Sequence, residues 1–322
     1  MRRLRTSWAL REMLAEVSLS TKDLIAPVFV RPGENIRNPI ASMPGQFQFS
    51  QDTALEYISS LRDAGILSVL LFGVIEDCDK DPLGTQAWLD DAPVQKLCSA
   101  VKSHFPEMVV IADTCLCEYT SHGHCGPIVS RGNLVDVHND QALELIAKTA
   151  VSQARAGADI VAPSAMMDGQ ISAIRTALDQ ADFTQTAIMS YAVKFASSMY
   201  GPFRDAAQSP PKQGDRKTYQ MDYRTPSQAI LEATLDSQEA ADFLMVKPAA
   251  TYLDIISQVA QISPLPLAAY HVSGEYSQIK AAAQLGWLDE KQAVLEVTSA
   301  IKRAGANLII TYFAKQIAGW LK

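Results

Sequence analysis

Residues 139–164 read NDQALELIAKTAVSQARAGADIVAPS, and this stretch holds a helix, its stop signal and a strand. Leu143, Ile146, Ala147, Ala150, Val151 and Ala154 recur at helical spacing and predict one apolar stripe over 139–156, with Asn139 or Asp140 as the N-cap. Arg155 in the last turn faces the C-terminal carbonyls, and Gly157 just beyond can enter the left-handed region that ends a helix. Asp159–Ser164 then runs apolar without alternation, as a strand buried on both faces does.

The same punctuation returns along the chain. Arg62-Asp-Ala-Gly65 and Arg303-Ala-Gly305 each close a helical segment just before an apolar run. Eight such runs are present: Leu24–Val30, Ser68–Val74, Met108–Asp113, Asp159–Ser164, Thr186–Tyr191, Phe243–Lys247, Leu267–His271 and Leu308–Phe313. Thr225-Pro-Ser-Gln228 adds a helix start, with a cap residue, proline at N1 and glutamine at N3. Eight strand–helix units predict an α/β fold, a single TIM (β/α)8 barrel. A doubly wound open sheet is the rival, but no Gly-x-Gly-x-x-Gly follows the first strand. Residues 1–23 read as an N-terminal arm and 24–322 as the barrel catalytic domain. Gly201–Tyr219, rich in Pro, Gly and Gln, reads as a long polar loop of the kind that forms active-site lids.

Composition narrows the function. The chain is 48% hydrophobic and 20% charged, with a net charge of −7. That acidity repels phosphates, so no nucleic-acid partner is expected. No apolar run approaches the ~18 residues that span a bilayer. The opening Met-Arg-Arg-Leu-Arg resembles the lead of a signal peptide, but Arg11, Glu12 and Glu16 interrupt any apolar core behind it, so a cytoplasmic protein is expected. Three of the five cysteines, Cys115, Cys117 and Cys125, fall within eleven residues. In a reducing compartment that clustering points to metal or catalysis before disulfides.

Two lysines stand out. Lys194 and Lys247 each end an apolar, strand-like run, although lysine is rarely buried. One such lysine is ordinarily a snorkelling or ion-paired side chain. Two at the C-terminal rim of a barrel, where these folds carry their active sites, point to amines kept neutral by burial and by one another, able to attack a ketone. The cysteine cluster follows the third run, and three thiolates suit zinc while leaving its fourth position open, the arrangement of catalytic sites. His122 and His124 could fill that position, but read better as surface or supporting residues. Arg204, Arg216 and Lys217 lie in the long loop, where a closing lid could clamp a carboxylate. Ser164, Ser273 and Tyr312 also follow strand runs and bring polar groups to the same rim.

The stretches Asp113–Gly126, Ala162–Gly169, Met189–Ser198, Tyr200–Arg204, Gly214–Lys217, Leu244–Pro248 and Tyr270–Tyr276 together resemble the porphobilinogen synthases, or 5-aminolevulinate dehydratases, of the zinc-dependent bacterial type. The resemblance spans nearly the whole chain. It implies a TIM barrel assembled as a homo-octamer through N-terminal arms, joining two 5-aminolevulinate molecules into porphobilinogen for tetrapyrrole synthesis. By that resemblance Lys247 holds the substrate that becomes the propionate side and Lys194 the acetate side. Ser273 and Tyr312 bind the first carboxylate, Arg204 and Arg216 the second. Asp113 assists proton transfer and Ser164 lines the first site. Cys115, Cys117 and Cys125 hold catalytic zinc, and Glu232 matches a position that faces an allosteric magnesium. The arm before Arg-Arg-Leu-Arg is shorter than usual, and Thr218 stands where animal members carry a cysteine.

Two other readings fit parts of the pattern. A class I aldolase-like barrel needs one Schiff-base lysine and no thiolate metal. A non-catalytic zinc- or metabolite-binding barrel predicts no turnover with both lysines intact.

Overall fold

The structure, a computed structural model, describes residues 1–132 and 134–322. The eight apolar runs form β1 (Leu24–Val30), β2 (Ser68–Gly73), β3 (Val109–Thr114), β4 (Ile160–Pro163), β5 (Ala187–Lys194), β6 (Phe243–Lys247), β7 (Leu267–His271) and β8 (Leu308–Thr311). They pair in chain order, all parallel, and β8 closes on β1 through Leu24↔Ile309 and Ile25↔Ile310. A closed parallel sheet leaves no edge and must be covered on its outer face. The cover is α2 (Gln51–Asp63), α3 (Pro93–His104), α4 (Asn139–Arg155), α5 (Gln170–Gln180), α7 (Pro226–Gln238), α8 (Leu253–Ile262), α9 (Ser273–Gln284), α10 (Glu290–Arg303) and α11 (Ala314–Trp320). The fold is the TIM barrel. The three Arg–Gly stops behave alike: Gly65, Gly157 and Gly305 have φ of +90°, +99° and +122°.

Three expectations are corrected. The N-cap of α4 is His138, whose ring accepts the Gln141 N–H, not Asn139 or Asp140. The buried face of α4 also carries Ala142, Leu145, Thr149 and Gln153, while Leu143 and Val151 are only half-buried. Packing between the sheet and α5 sets that face, and the hydroxyl and amide are tolerated because Thr149 bonds the Leu145 carbonyl and Gln153 bonds Thr114 and the Asp113 carbonyl. The segment Gly201–Tyr219 is not all loop, since it begins with a short helix, α6 (Gly201–Ala206), that has proline in its first turn.

Two excursions interrupt the repeat. Between β1 and α2, Arg37–Pro39 pairs antiparallel with Phe47–Phe49, which also adds beside β1. After the cysteine loop, Ile128–Arg131 pairs with Leu134–Val137. Residues 1–23 hold a 3-10 turn, the short α1 (Trp8–Met13) and a second turn begun by Ser20, and none of them is buried. Among the described residues no helix is long and apolar enough to cross a membrane.

Candidate active site

The two lysines are neighbours because of a register shift. β5 pairs with β6 as Met189↔Phe243 and Ser190↔Leu244, then as Val193↔Val246 and Lys194↔Lys247. One extra residue in β5 between these pairs is a bulge, and without it Lys247 would face Val193, whose side chain alternates to the opposite side. Strands sit about 4.8 Å apart, so the two amines enter the barrel mouth side by side. Both are almost wholly buried, with 4% and 5% of Lys194 and Lys247 exposed.

Their surroundings are aromatic. The Tyr191 ring centroid lies 5.5 Å from Lys194 Nζ and 5.1 Å from Lys247 Nζ. Lys247 Nζ is also 4.4 Å from the Tyr270 ring, 5.2 Å from Tyr200 and 5.1 Å from Phe203. Lys194 Nζ donates to the Ser164 carbonyl at 2.5 Å, whereas no hydrogen bond reaches Lys247 Nζ among the described residues. Burial, with the nearby Lys194 charge adding to it, pulls the Lys247 ammonium down to about 7. Asp113 moves the other way. Burial and the Glu118 carboxylate push it up to about 7, against the pull of Lys194 and Lys247. Ser164 Oγ donates to Asp113 Oδ2 at 3.2 Å, and Asp113 Oδ1 has no partner.

The three thiols meet beside this pair. The sulfur atoms of Cys115, Cys117 and Cys125 lie within 4.8 Å of one another, all buried, and among the described residues they are the only such group of three metal-ligating side chains. Cys115 Sγ and Cys117 Sγ are 3.4 Å apart, and no disulfide is formed. Burial holds the Cys115 thiol well above its usual range, and its contact with Cys117 does the same to that thiol. Three crowded thiols lose their protons together only around a cation, so the donor set fits a soft divalent metal.

His122 and His124 are buried, so neither is a surface residue. His124 Nδ1 contacts Tyr219 Oη at 3.0 Å and its Nε2 the Gln213 carbonyl at 2.8 Å, while His122 Nε2 contacts the Pro82 carbonyl at 3.0 Å. With its ring nitrogens so engaged, His124 ties the cysteine loop to the segment after α6. Arg216 ties it again, donating from Nη2 to the Gly123 and Ser209 carbonyls at 2.8 Å each.

The lid covers the lysines. Phe203 of α6 packs on Phe29 and Phe72, with ring centroids 5.8 and 5.1 Å away, and so closes the barrel mouth. Ser273 Oγ accepts the Phe203 N–H at 2.9 Å and donates to the Met199 carbonyl at 3.2 Å. Gly274 permits that approach, since a Cβ there would lie 2.5 Å from the Met199 carbonyl oxygen. Tyr312 Oη meets Tyr270 Oη at 3.0 Å. Arg204 and Arg216 line a cavity of about 520 Å³ together with Ser197, Lys217, Gln220 and Tyr252, while the two lysines themselves do not line it. Unpartnered buried polar atoms gather around this mouth, on Asp113, Tyr191, Arg204, Arg216 and Gln220. Buried polar groups are rarely left so, and a polar ligand would satisfy them.

Glu232 lies elsewhere. It is half-buried on α7, beside a second cavity of about 500 Å³ that Asp168 and Asp222 also line. Burial and the neighbouring Asp168 and Glu239 carboxylates push its carboxyl up. Lys194, Lys247, Cys115, Cys117, Cys125, Arg204 and Arg216 are the residues expected at a site, and around Lys247 the structure adds Tyr191, Tyr200, Phe203 and Tyr270, to which no role was expected. Tyr191 and Tyr270 fall inside the apolar runs that end at the rim, whereas Tyr200 and Phe203 lie beyond the fifth run, in a 3-10 turn and in α6.

A family model described as delta-aminolevulinic acid dehydratase matches residues 1–320. The chain is 55% identical to the delta-aminolevulinic acid dehydratase of Bacillus subtilis over 320 residues, covering 99% of this chain and 97% of that one. It is 53% identical to that of Synechococcus elongatus over 320 residues, covering 99% and 98%. A crystal structure of the Toxoplasma gondii enzyme in complex with its reaction product porphobilinogen superposes with a TM-score of 0.96 at 42% identity, covering 99% of this chain and 90% of that one.

Proposed function

The chain belongs to the delta-aminolevulinic acid dehydratase family, and from that membership we propose that it condenses two molecules of 5-aminolevulinate into porphobilinogen, with Lys194 and Lys247 each holding one substrate as an imine. The observation that carries this reading is the pair of lysines in register on β5 and β6, one of them held near pH 7 by burial. A class I aldolase would use one such amine and no thiolate site, so the pair together with Cys115, Cys117 and Cys125 weighs against it.

Neutral Lys247 attacks the ketone of one substrate, and Lys194 takes the other. Each imine releases one water. The protonated imine at Lys194 acidifies the adjacent carbon, which bonds to the imine carbon at Lys247. The free amine of the Lys247-bound substrate closes the ring on the carbon held by Lys194, and both lysines are returned. Asp113, a carboxyl poised near neutrality beside both amines, suits the proton transfers. Arg204 and Arg216 would clamp the acetate-side carboxylate, while Ser273 and Tyr312 would hold the propionate-side one. Ser273 Oγ–H now donates a hydrogen bond to the Met199 carbonyl, so substrate binding would exchange that bond for one to the carboxylate. Phe203 excludes water from Lys247 while the imine exists. Cys115, Cys117 and Cys125 would hold zinc, which when bound supplies a Lewis acid to the second substrate.

Glu232 is proposed to face a magnesium ion that activates from outside the site. A hard cation that keeps most of its waters suits a cavity where Glu232 stands among further carboxylates, Asp168 and Asp222. Magnesium is expected to raise activity, and Glu232→Ala to remove the response without abolishing turnover. Equal stimulation of variant and parent would sink the assignment.

The division into an arm of residues 1–23 and a barrel of 24–322 supports assembly. Leu4, Trp8, Met13 and Leu14 are exposed along the arm, an apolar set that a second copy would bury, which fits a homo-octamer. A cytoplasmic setting fits five unpaired cysteines. A colorimetric assay for porphobilinogen from 5-aminolevulinate tests the whole reading, and an absence of product with metal supplied would overturn it.

A further inference from the structure

Helix α6 has six residues, too few to persist in water unaided. It nonetheless carries Phe203 and Arg204 over the barrel mouth, so other parts of the molecule must hold it down. Two of its anchors come from the excursion between β1 and α2, a segment that takes no part in the chemistry above. Ser42 Oγ donates to Asp205 Oδ2 at 2.6 Å, and Gln48 Nε2 donates to the Ala206 carbonyl at 2.7 Å.

The geometry fixes Gln48 in this role. It is 4% exposed, and its Oε1 already accepts from Arg31 Nη1 at 3.1 Å and Asn38 Nδ2 at 3.2 Å. With the oxygen facing two donors, the amide NH2 must point at α6. The excursion is itself anchored to the barrel. Tyr276 Oη donates to the Pro44 carbonyl at 2.6 Å, Ser277 Oγ to the Ser42 carbonyl at 2.7 Å, and Gln46 Nε2 to the Tyr312 carbonyl at 3.1 Å. Lid and floor are thus joined through a rigid strap.

We propose that Gln48 and Ser42 are positioning residues that latch α6, so that Phe203 seals Lys247 and Arg204 faces the cavity before substrate arrives. This rests on the reading of Lys247 and Arg204 above. A pre-closed lid lowers the cost of binding and leaves the bond-making steps at saturation nearly untouched.

The test uses the full chain with metal supplied. Gln48→Leu keeps the volume and removes the donor. Its KM for 5-aminolevulinate is expected to rise about tenfold, the weight of one buried hydrogen bond, with kcat changed by no more than about twofold. Trypsin should cut after the exposed Lys212 and Lys217 about tenfold faster in this variant, and 5-aminolevulinate should restore protection. Ser42→Ala should raise KM about threefold and add little in an Asp205→Ala background, because the 2.6 Å bond to Asp205 is the main contact of Ser42 with α6 and the other, to the Pro202 carbonyl, is long at 3.5 Å. An unchanged KM and tryptic rate in Gln48→Leu, or a fall in kcat alone, overturns the latch. Should Gln48→Leu fail to fold, additive effects of Ser42→Ala and Asp205→Ala would overturn it instead. The tryptic rate does not depend on imine chemistry, so a parent that is protected but inactive would sink the catalytic reading and spare the latch.

Discussion

Lys247→Met abolishes porphobilinogen formation, lowering kcat by roughly 10⁴-fold or more, the scale on which loss of a covalent nucleophile acts. Methionine fills about the same space and brings no charge, so the barrel should stay folded. Its stability should rise at neutral pH, and the sign follows from linkage. The buried amine titrates near 7 against an ordinary value of 10.5. The folded chain therefore binds fewer protons than the unfolded one between these values. The cost of burying Lys247 is full below pH 7, fades through this window and is gone above 10.5. Lys247→Met removes that cost, so its gain in melting temperature should shrink as pH rises toward 10.5. The same titration shapes activity, since below pH 7 the protonated amine cannot attack and kcat/KM should fall about tenfold per pH unit. Borohydride added with 5-aminolevulinate should fix the reduced substrate mass on Lys247 in the parent. Peptide mapping that finds the label on neither Lys247 nor Lys194 would count directly against the imine.

Zinc removal should be nearly as severe. A strong chelator is expected to stop porphobilinogen formation and added zinc to restore it, because Cys115, Cys117 and Cys125 are soft ligands and leave a fourth position open. The fold should not follow the metal. The thiols sit at the rim of a barrel whose core is closed by eight strands, so circular dichroism should hold through the cycle. Cys125→Ser should weaken zinc binding with little change in the spectrum. Since the thiols must lose protons to bind, and Cys125, against the pull of its contact with Cys115, is pushed up to about 12 by Cys117 and by burial, zinc occupancy should fall as pH drops. Full activity in a preparation shown by elemental analysis to lack zinc would refute the catalytic-zinc reading.

Much of this was legible in the chain, because the signals are local. Continuous apolar runs mark strands buried on both faces, and Arg–Gly stops mark helix ends, so the barrel could be counted from one end to the other. Clustered cysteines carry their ligand chemistry wherever they fold. A lysine at the end of an apolar run announces its own anomaly. Where such signals were diluted the reading slipped. α4 buries Thr149 and Gln153, which apolar periodicity overlooks, and α6 is too short for any period to appear.

What only the tertiary structure decided is relational. Lys194 and Lys247 lie 53 positions apart, and they became neighbours through one bulge in β5, which resets the side-chain alternation where it matters. The closing of Phe203 over Lys247, the fixed orientation of Gln48 beneath α6 and the orphaned polar atoms at the mouth belong to the same class. Each depends on the position of one segment against another, and periodicity and composition describe a segment only by itself. The sequence alone determined which groups are present and on which rim they stand. Their spacing, burial and proton affinity come from packing, because desolvation and hydrogen bonding depend on neighbours that only the closed barrel brings within reach.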